Sequence, residues 1–265
     1  MTAQPEIDGP DLRVRVVQWG STLDRAHNRD QLASAARSGQ VPPAGLVVLP
    51  EAFARDFGPP DSDLGGEAEP LDGPFVSELA AVAEERRTTV VAGMFESSPG
   101  ALPFNTLVVR GQATAQYRKI HLYDSFGYRE SDRLSGGPVA PAIVDVEGWR
   151  VGLATCYDLR FPELFRALVD AGAEVIVLPA AWLPGDRKVD HWRTLVRARA
   201  IENTVYVVAV GQPEPRYCGH SSVVGPLGDV LVELGGEADT AEVTLSRAEL
   251  YEARRTNPSL ANRRM

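Results

Sequence analysis

The 265-residue chain is poor in cysteine, in basic residues and in long apolar runs. Two cysteines do not make a disulfide framework, so free thiols in a reducing cytoplasm are the simpler expectation. The 27 basic residues against 36 acidic ones give a net charge of −9, which argues against a nucleic-acid partner. No segment approaches the roughly 20 consecutive apolar residues that span a bilayer, so no membrane association is expected.

The chain also lacks the patterns that hold metals and nucleotides. Its four His and two Cys have no metal-ligand spacing, and no glycine-rich phosphate loop follows a strand, so we expect no metal and no cofactor. Residues 1–11 have neither the basic region nor the apolar core of a secretory signal, and we expect a short disordered lead-in there. Since no linker divides the remainder, residues 12–265 are expected to form a single domain.

Apolar runs and helical patterns alternate along the chain, and this order occurs twice. The run LVVLPEA at 46–52 is similar to VIVLPAA at 175–181, and RVRVVQW at 13–19 and RVGLATC at 150–156 precede them. Two such units predict an α/β fold in which two sheets pack face to face with helices outside, a four-layer α-β-β-α sandwich. A single doubly wound sheet is the alternative, but the frequent hairpins favour mixed sheets.

The two halves differ where strands end. Glu51 in the first half stands where Ala180 stands in the second, and Cys156 in the second stands where Trp19 stands in the first. Functional residues commonly lie where strands end in loops. A lone buried cysteine is usually an inert packing residue, but a turn from strand to helix favours a thiolate. Local context alone leaves nucleophile and packing even for Cys156.

Three further polar residues add to this interpretation. Glu51 follows an apolar strand, a place suited to a general base, although a surface carboxylate is the common alternative. Lys119 ends a predicted strand at 114–119 and could stabilise an oxyanion, although solvated basic clusters are common. Glu130 lies in a polar loop, where spacing alone also permits a structural role. Nucleophile, base and oxyanion stabiliser are together what acyl transfer needs, and this set ranks above a Cys–His dyad because no histidine has a local signature.

Three motifs carry these residues: VVLPEAF at 47–53, YRKIHLYD at 117–124 and GLATCYDLRFPEL at 152–164. In content and order they resemble the Glu, Lys and Cys motifs of the nitrilase, or carbon–nitrogen hydrolase, superfamily. HWRTLVRARAIENTVYVV, GHSSVVGPLGDVL and NPSLANRR extend the resemblance over almost the whole chain from about residue 12. The resemblance implies the four-layer sandwich and a homodimer or larger homo-oligomer. It also implies the catalytic residues Glu51, Lys119 and Cys156, with Glu130 matching a second glutamate of the family's site.

YRKIHL, CYDLRFPEL and RARAIEN most resemble the amidase branch that contains omega-amidase and deaminated glutathione amidase. This implies a cysteine-dependent amidohydrolase that cleaves a small linear amide, through a thioester, to a carboxylic acid and ammonia. An N-carbamoyl amino-acid amidohydrolase and a nitrilase are the alternatives with the same machinery. A non-catalytic scaffold on this fold is a different class, and the intact Glu–Lys–Cys set argues against it.

Enzymes of this branch act on amides that bear a carboxylate. Arg160 and Arg129 are candidates to bind one, since guanidinium binds carboxylate in a two-pronged manner. Arg160 could equally form a structural ion pair with Asp158 or Glu163. The backbone N–H of Tyr157 is expected to donate to the oxyanion. Aromatic side chains on loops near the motifs are expected to shape the pocket: Tyr123, Phe126, Tyr128 and Trp182.

Overall fold

The structure is a computed structural model that describes residues 9–37, 44–100 and 102–264. Residues 1–8, most of the expected lead-in, lie outside the described residues. The described part contains five α-helices. Their bounds are Arg25–Arg37 (α1), Pro74–Arg86 (α2), Pro162–Asp170 (α3), Lys188–Asn203 (α4) and Arg247–Thr256 (α5).

Two six-stranded sheets and one small hairpin make up the β structure of the described residues. The first sheet contains Leu12–Gln18 (β1), Leu46–Val48 (β2), Thr89–Glu96 (β3), Phe104–Arg110 (β4), Ala115–Arg118 (β5) and Asp239–Leu245 (β14). The hairpin contains Asp124–Ser125 (β6) and Tyr128–Arg129 (β7). The second sheet contains Ile143–Val146 (β8), Trp149–Leu153 (β9), Val175–Ala180 (β10), Tyr206–Gly211 (β11), Ser222–Val224 (β12) and Val230–Glu233 (β13).

The two sheets have the same internal order, so the predicted repeat is confirmed. The first runs β14-β1-β2-β3-β4-β5 and the second, taken from its other edge, runs β8-β9-β10-β11-β12-β13. In each, three central parallel strands have antiparallel neighbours on both sides. The register agrees as well, because Val14 pairs with Leu46 and Val151 pairs with Val175.

The side chains of each strand point alternately to the two faces of its sheet, and this alternation accounts for the four layers. Val14 and Val16 of β1 lie in the apolar cluster that contains the second sheet, whereas Val17 lies in the cluster that contains α1 and α2. Successive side chains of a strand point to opposite faces, so β1 contacts a sheet on one side and helices on the other. Side chains of α3 and α4, such as Leu168 and Val196, cover the second sheet. The predicted α-β-β-α sandwich is confirmed, while the single domain stays a prediction.

Three local features differ from the sequence expectations. The edge strands β8 and β14 were not predicted, because the first is short and the second is mostly only half-buried. The strand predicted to reach Cys156 ends at Leu153, and Cys156 begins a short 3-10 helix. At the start of α5, Ser246 and Glu249 have the spacing of a capping box, but only half of the box forms. Ser246 Oγ accepts from the Glu249 N–H at 3.5 Å, but the Glu249 carboxylate accepts from the Tyr206 hydroxyl.

No helix in residues 9–37, 44–100 and 102–264 is long and apolar enough to cross a membrane.

Candidate active site

A tight turn after β2 fixes Glu51 in place. Its backbone and that of Ala52 lie against Gly93, where an added Cβ would be 2.7 Å from Glu51 Cα and 2.4 Å from Ala52 N. Ala52 has φ +54°, and the Gly93 N–H donates to the Pro50 carbonyl at 3.1 Å. The Ala54 N–H donates back to the Gly93 carbonyl at 3.0 Å. Only glycine at 93 permits this approach, because any Cβ would clash with backbone atoms.

The Glu51 carboxylate is buried and fully hydrogen-bonded. Its Oε1 accepts from Lys119 Nζ at 2.9 Å and from Asn105 Nδ2 at 2.7 Å, and its Oε2 accepts from the Ala181 N–H at 2.6 Å. The Gln212 side chain donates to the Glu51 carbonyl at 2.8 Å. Since Ala181 and Gln212 follow the ends of β10 and β11, the second half of the chain holds the glutamate of the first half.

Lys119 lies between two carboxylates. Its Nζ donates to Glu130 Oε2 at 2.9 Å and to Oε1 at 3.1 Å, in addition to Glu51. Glu130 also accepts from the Tyr123 N–H at 2.6 Å and from Asn105 Nδ2 at 3.2 Å. Burial lowers the pKa of Lys119, but Glu130 and Glu51 outweigh it, so the pKa lies well above its usual value and Lys119 stays an ammonium.

Cys156 is held in the same cluster by a strained turn. It has φ +48° and is 7% exposed. Asp158, two residues on, accepts from the Thr155 N–H at 2.8 Å and the Tyr117 hydroxyl at 2.7 Å, and its Oδ1 lies 2.7 Å from His121 Nδ1. Tyr117 and His121 flank Lys119 in sequence, so Asp158 ties the turn that carries the thiol to the segment that carries the lysine.

The Cys156 thiol is neutral at rest. Burial raises its pKa, the negative charges of Glu51 and Glu130 raise it further, and Lys119 offsets them only in part. Two carboxylates around one ammonium leave a net charge of −1, to which a thiolate would add a second negative charge. The turn from strand to helix was expected to favour the thiolate, and this prediction is wrong, because a five-residue 3-10 helix does not outweigh burial beside Glu51.

Alkylation of Cys156 by iodoacetamide is expected to be much slower at pH 7 than that of a free cysteine. Because its pKa is raised, the reactive thiolate forms only as the pH rises, so the rate should keep increasing beyond pH 9. Mass spectrometry of the Cys218→Ser variant measures Cys156 alone, since burial raises the pKa of Cys218 to about 11 and both thiols react slowly. A rate that levels off below pH 8 would contradict the neutral thiol.

A pocket of about 160 Å³ opens at these residues. Glu51, Lys119, Glu130 and Cys156 form its base. Aromatic and apolar side chains form part of the wall, namely Phe57, Tyr123, Tyr128, Trp182, Leu183 and Tyr217. The rest of the wall contains three cationic side chains, Arg133, Lys188 and Arg216, and the backbone around Gly58. Such a concave, mostly apolar site with a few convergent polar groups suits a small organic molecule.

Comparison with known proteins agrees with this arrangement. Residues 13–255 match the family described as carbon-nitrogen hydrolase. The chain belongs to the carbon–nitrogen hydrolase family. It is a hydrolase that acts on carbon–nitrogen bonds.

This hydrolase is similar to the deaminated glutathione amidase of Escherichia coli O157:H7, with 39% identity over 96% of this chain and 97% of that one. A hydrolase of Mycobacterium tuberculosis is 38% identical over 84% of this chain and 85% of its own length. Among solved structures, Nit3 of Saccharomyces cerevisiae, of branch 10 of the nitrilase superfamily, aligns with TM-score 0.87 and 27% identity over 99% of this chain and 100% of that one. The superfamily member XC1258 from Xanthomonas campestris, which holds an arsenic adduct in its active site, aligns with TM-score 0.86 and 30% identity over 97% and 98%.

The side chains predicted to bind substrate divide into two groups in this hydrolase. Tyr123, Tyr128 and Trp182 line the pocket, as expected for residues that shape it. Phe126 is 75% exposed at the tip of the β6–β7 hairpin, outside the lining. Arg129 is exposed and pairs with Asp132 at 3.2 Å, so it too lies outside the lining.

The Arg160 guanidinium lies over the Trp182 ring at 5.1 Å, and its Nη2 is 3.5 Å from His191 Nδ1. Over the described ranges, Arg160 forms no ion pair with Asp158 or Glu163. Tyr157 follows Cys156 in the first turn of the 3-10 helix, where backbone N–H groups have no partner within the helix.

Two further residues of the site have no recognisable signal in the sequence: Asn105, which bridges Glu51 and Glu130, and Lys188, a cation in the pocket lining. Asn105 carried no signal because it looked like an ordinary residue in a strand. Lys188 begins α4, and only the path of the preceding loop brings it to the pocket. No group of three or more His, Cys, Asp or Glu side chains within the described ranges is arranged to hold a metal ion.

Proposed function

We propose that this hydrolase cleaves a small linear amide by nucleophilic catalysis, with Cys156 as nucleophile, Glu51 as general base and Lys119 as the oxyanion-stabilising cation. The observation that carries the proposal is the buried Lys119 ammonium, which contacts Glu51 and Glu130 beside Cys156 at the base of the pocket. The net reaction adds one water to the amide and yields a carboxylic acid and ammonia.

The first step forms a carbon–sulfur bond. Glu51 removes the proton of the Cys156 thiol while the sulfur attacks the carbonyl carbon of the amide. A raised thiol pKa makes this concerted transfer necessary, because almost no thiolate exists beforehand at neutral pH. The carbonyl oxygen becomes an oxyanion, which Lys119 and the Tyr157 N–H stabilise.

The second step breaks the carbon–nitrogen bond. Protonated Glu51 gives its proton to the amide nitrogen, ammonia leaves, and a thioester joins the acyl group to Cys156. Glu51 then removes a proton from water, the hydroxide attacks the thioester carbon, and the carbon–sulfur bond breaks. The proton returns to the sulfur as the carboxylic acid departs, so the enzyme is restored.

Glu130 acts through Lys119 in this scheme. It accepts two hydrogen bonds from the ammonium and is itself held by the Tyr123 N–H. Its negative charge keeps Lys119 protonated, and its fixed position keeps the ammonium next to Glu51. Glu130 is therefore proposed as the positioning residue of the site.

The relatives support an amide substrate rather than a nitrile. The Escherichia coli O157:H7 relative is named deaminated glutathione amidase and covers almost the whole chain. We therefore place the activity near those of deaminated glutathione amidase and omega-amidase. The pocket is small and largely apolar, which suits a linear acyl group.

An amide panel tests the proposal directly. Ammonia release is measured from linear monoamides, N-carbamoyl amino acids and nitriles, and the acyl-enzyme is sought by mass spectrometry of the quenched reaction. The expected result is release from monoamides, with the acyl group on the peptide that contains Cys156. Turnover confined to carbamoyl compounds or to nitriles, or an acyl group on another residue, would contradict it.

The assembly and setting are proposed on separate grounds. Residues 12–265 are proposed as one domain, since a shared apolar core joins the two sheets. The family resemblance supports a homodimer or larger homo-oligomer, and light scattering measures that mass. Two free thiols are compatible with a reducing cytoplasm.

A further inference from the structure

Both lysines of the chain line one pocket. Only two of the 27 basic residues are lysine, at 119 and 188, and the other cations are arginine. Lys119 is occupied, because its ammonium already contacts Glu51 and Glu130. Lys188 has no role in the proposed chemistry, although its side chain lies in the wall of the same pocket.

Aromatic rings surround the Lys188 ammonium. Its Nζ lies 4.5 Å from the ring centre of Phe126, 5.2 Å from that of Tyr123 and 5.5 Å from that of Trp182. It donates one hydrogen bond, to the Tyr123 hydroxyl at 3.2 Å. Lys188 is only 8% exposed, and no carboxylate of the described residues lies within ion-pair distance. An ammonium has three donors, so two remain for a ligand.

The other two cations of the pocket are already engaged. Arg216 pairs with Asp56 at 3.1 Å. Arg133 donates to the carbonyl oxygens of Phe57 and Ser62 and to the Tyr128 hydroxyl, and thereby holds the 57–62 loop. Both arginines stabilise the wall of the pocket through these contacts. Lys188 is the pocket cation, among the described residues, with donors to spare.

The base of the pocket needs such a cation if the substrate is an anion. Glu51, Lys119 and Glu130 together carry a net charge of −1, which repels a carboxylate. Burial and the nearby charge of Arg160 lower the pKa of Lys188, whereas a thiolate at Cys156 would raise it, so these groups are electrostatically coupled. A bound carboxylate would offset the burial of Lys188 by supplying the missing countercharge.

We propose that Lys188 binds a carboxylate of the substrate and so makes the pocket select amides that carry an anionic carboxylate over neutral amides of the same size. This inference rests on the proposed amide hydrolysis, and it assigns substrate selection to a residue outside the reacting cluster. The aromatic rings position the ammonium in the wall of the pocket that has Cys156 at its base.

Kinetics of Lys188→Met test the selection. The paired substrates are glutaramate, the monoamide of glutaric acid, and its neutral methyl ester. Loss of a charge-assisted hydrogen bond is expected to lower kcat/KM for glutaramate about ten-fold or more, mainly through KM, and to leave the ester nearly unchanged. Arg187→Met is the matched control, because it removes an exposed positive charge from the preceding residue and should change neither substrate. An equal loss with both substrates would assign Lys188 a structural role and overturn the proposal.

Binding measurements separate this proposal from the proposed reaction. Calorimetry on the Cys156→Ala variant, which removes the thiol, measures the affinity for dicarboxylates from malonate to adipate. At least one is expected to bind, and adding Lys188→Met should weaken that binding about ten-fold or more while Arg187→Met does not. If none binds, or if Lys188→Met leaves affinity unchanged, the carboxylate site is overturned, whatever the amide panel has given. Failure of the amide panel alone would instead overturn the reaction.

Discussion

Ammonia release by the Cys156→Ala variant is expected to fall by about 10⁴-fold or more, to the background of the assay. Alanine removes the sulfur that forms the thioester, and none of the neighbouring groups replaces it. Glu51 and Lys119 keep their contacts with each other in the variant, so a residual rate could come only from base-assisted attack of water. Stopped assays with several enzyme concentrations measure the loss.

Two controls make this result specific. Cys218→Ser removes the other thiol, which lies beside the Leu183 carbonyl and is absent from the pocket lining, so it should retain most of the wild-type rate. Circular dichroism and thermal unfolding should show that Cys156→Ala folds like the parent, because the change deletes one atom at a site that is 7% exposed. Wild-type turnover by Cys156→Ala, or equal losses in the two cysteine variants, would remove Cys156 as the nucleophile.

Much of the fold could be predicted because it is repeated. LVVLP and VIVLP are apolar on both faces, as central parallel strands are, and the structure pairs both with equivalent neighbours. Edge strands are not predicted by this apolar pattern. The outer edge strand DTAEVTL has mixed polar and apolar residues because one side has no strand neighbour, so its pattern resembles a loop.

The base of the site could be predicted better than its walls. Glu51 and Cys156 were marked by departures from the repeat at strand ends, and the structure brings both to Lys119. Lys188 gave no such signal, since its position depends on the backbone path between β10 and α4. Arg129 lies near a motif in sequence, yet it is exposed and pairs with Asp132 outside the lining. Phe126 of the same hairpin reaches the pocket only through its contact with Lys188. Proximity in sequence to a motif is thus a weak guide to a pocket formed by loops.

Lys119→Met is expected to destabilise the protein by about 3–5 kcal/mol, as measured by urea unfolding. Methionine fills the volume of the side chain but leaves Glu51 and Glu130 buried together without a countercharge. Arg129→Met is the comparison, because it breaks an ion pair with Asp132 in which both side chains are exposed. The two side chains are 68% and 65% exposed, so the loss of this pair should cost about 1 kcal/mol or less.

A double variant tests whether the loss of stability in Lys119→Met comes from carboxylate repulsion or from lost packing. If repulsion between two buried carboxylates dominates, Glu130→Gln added to Lys119→Met should recover part of the stability, even though Glu130→Gln alone is expected to destabilise. Glutamine keeps the shape and one acceptor for the Tyr123 N–H while removing one negative charge. Neither Lys119→Met nor the double variant should show amide turnover, because both lack the Lys119 ammonium that stabilises the oxyanion. Additive losses in the double variant would mean that Lys119 stabilises the fold by packing rather than by balancing Glu51 and Glu130.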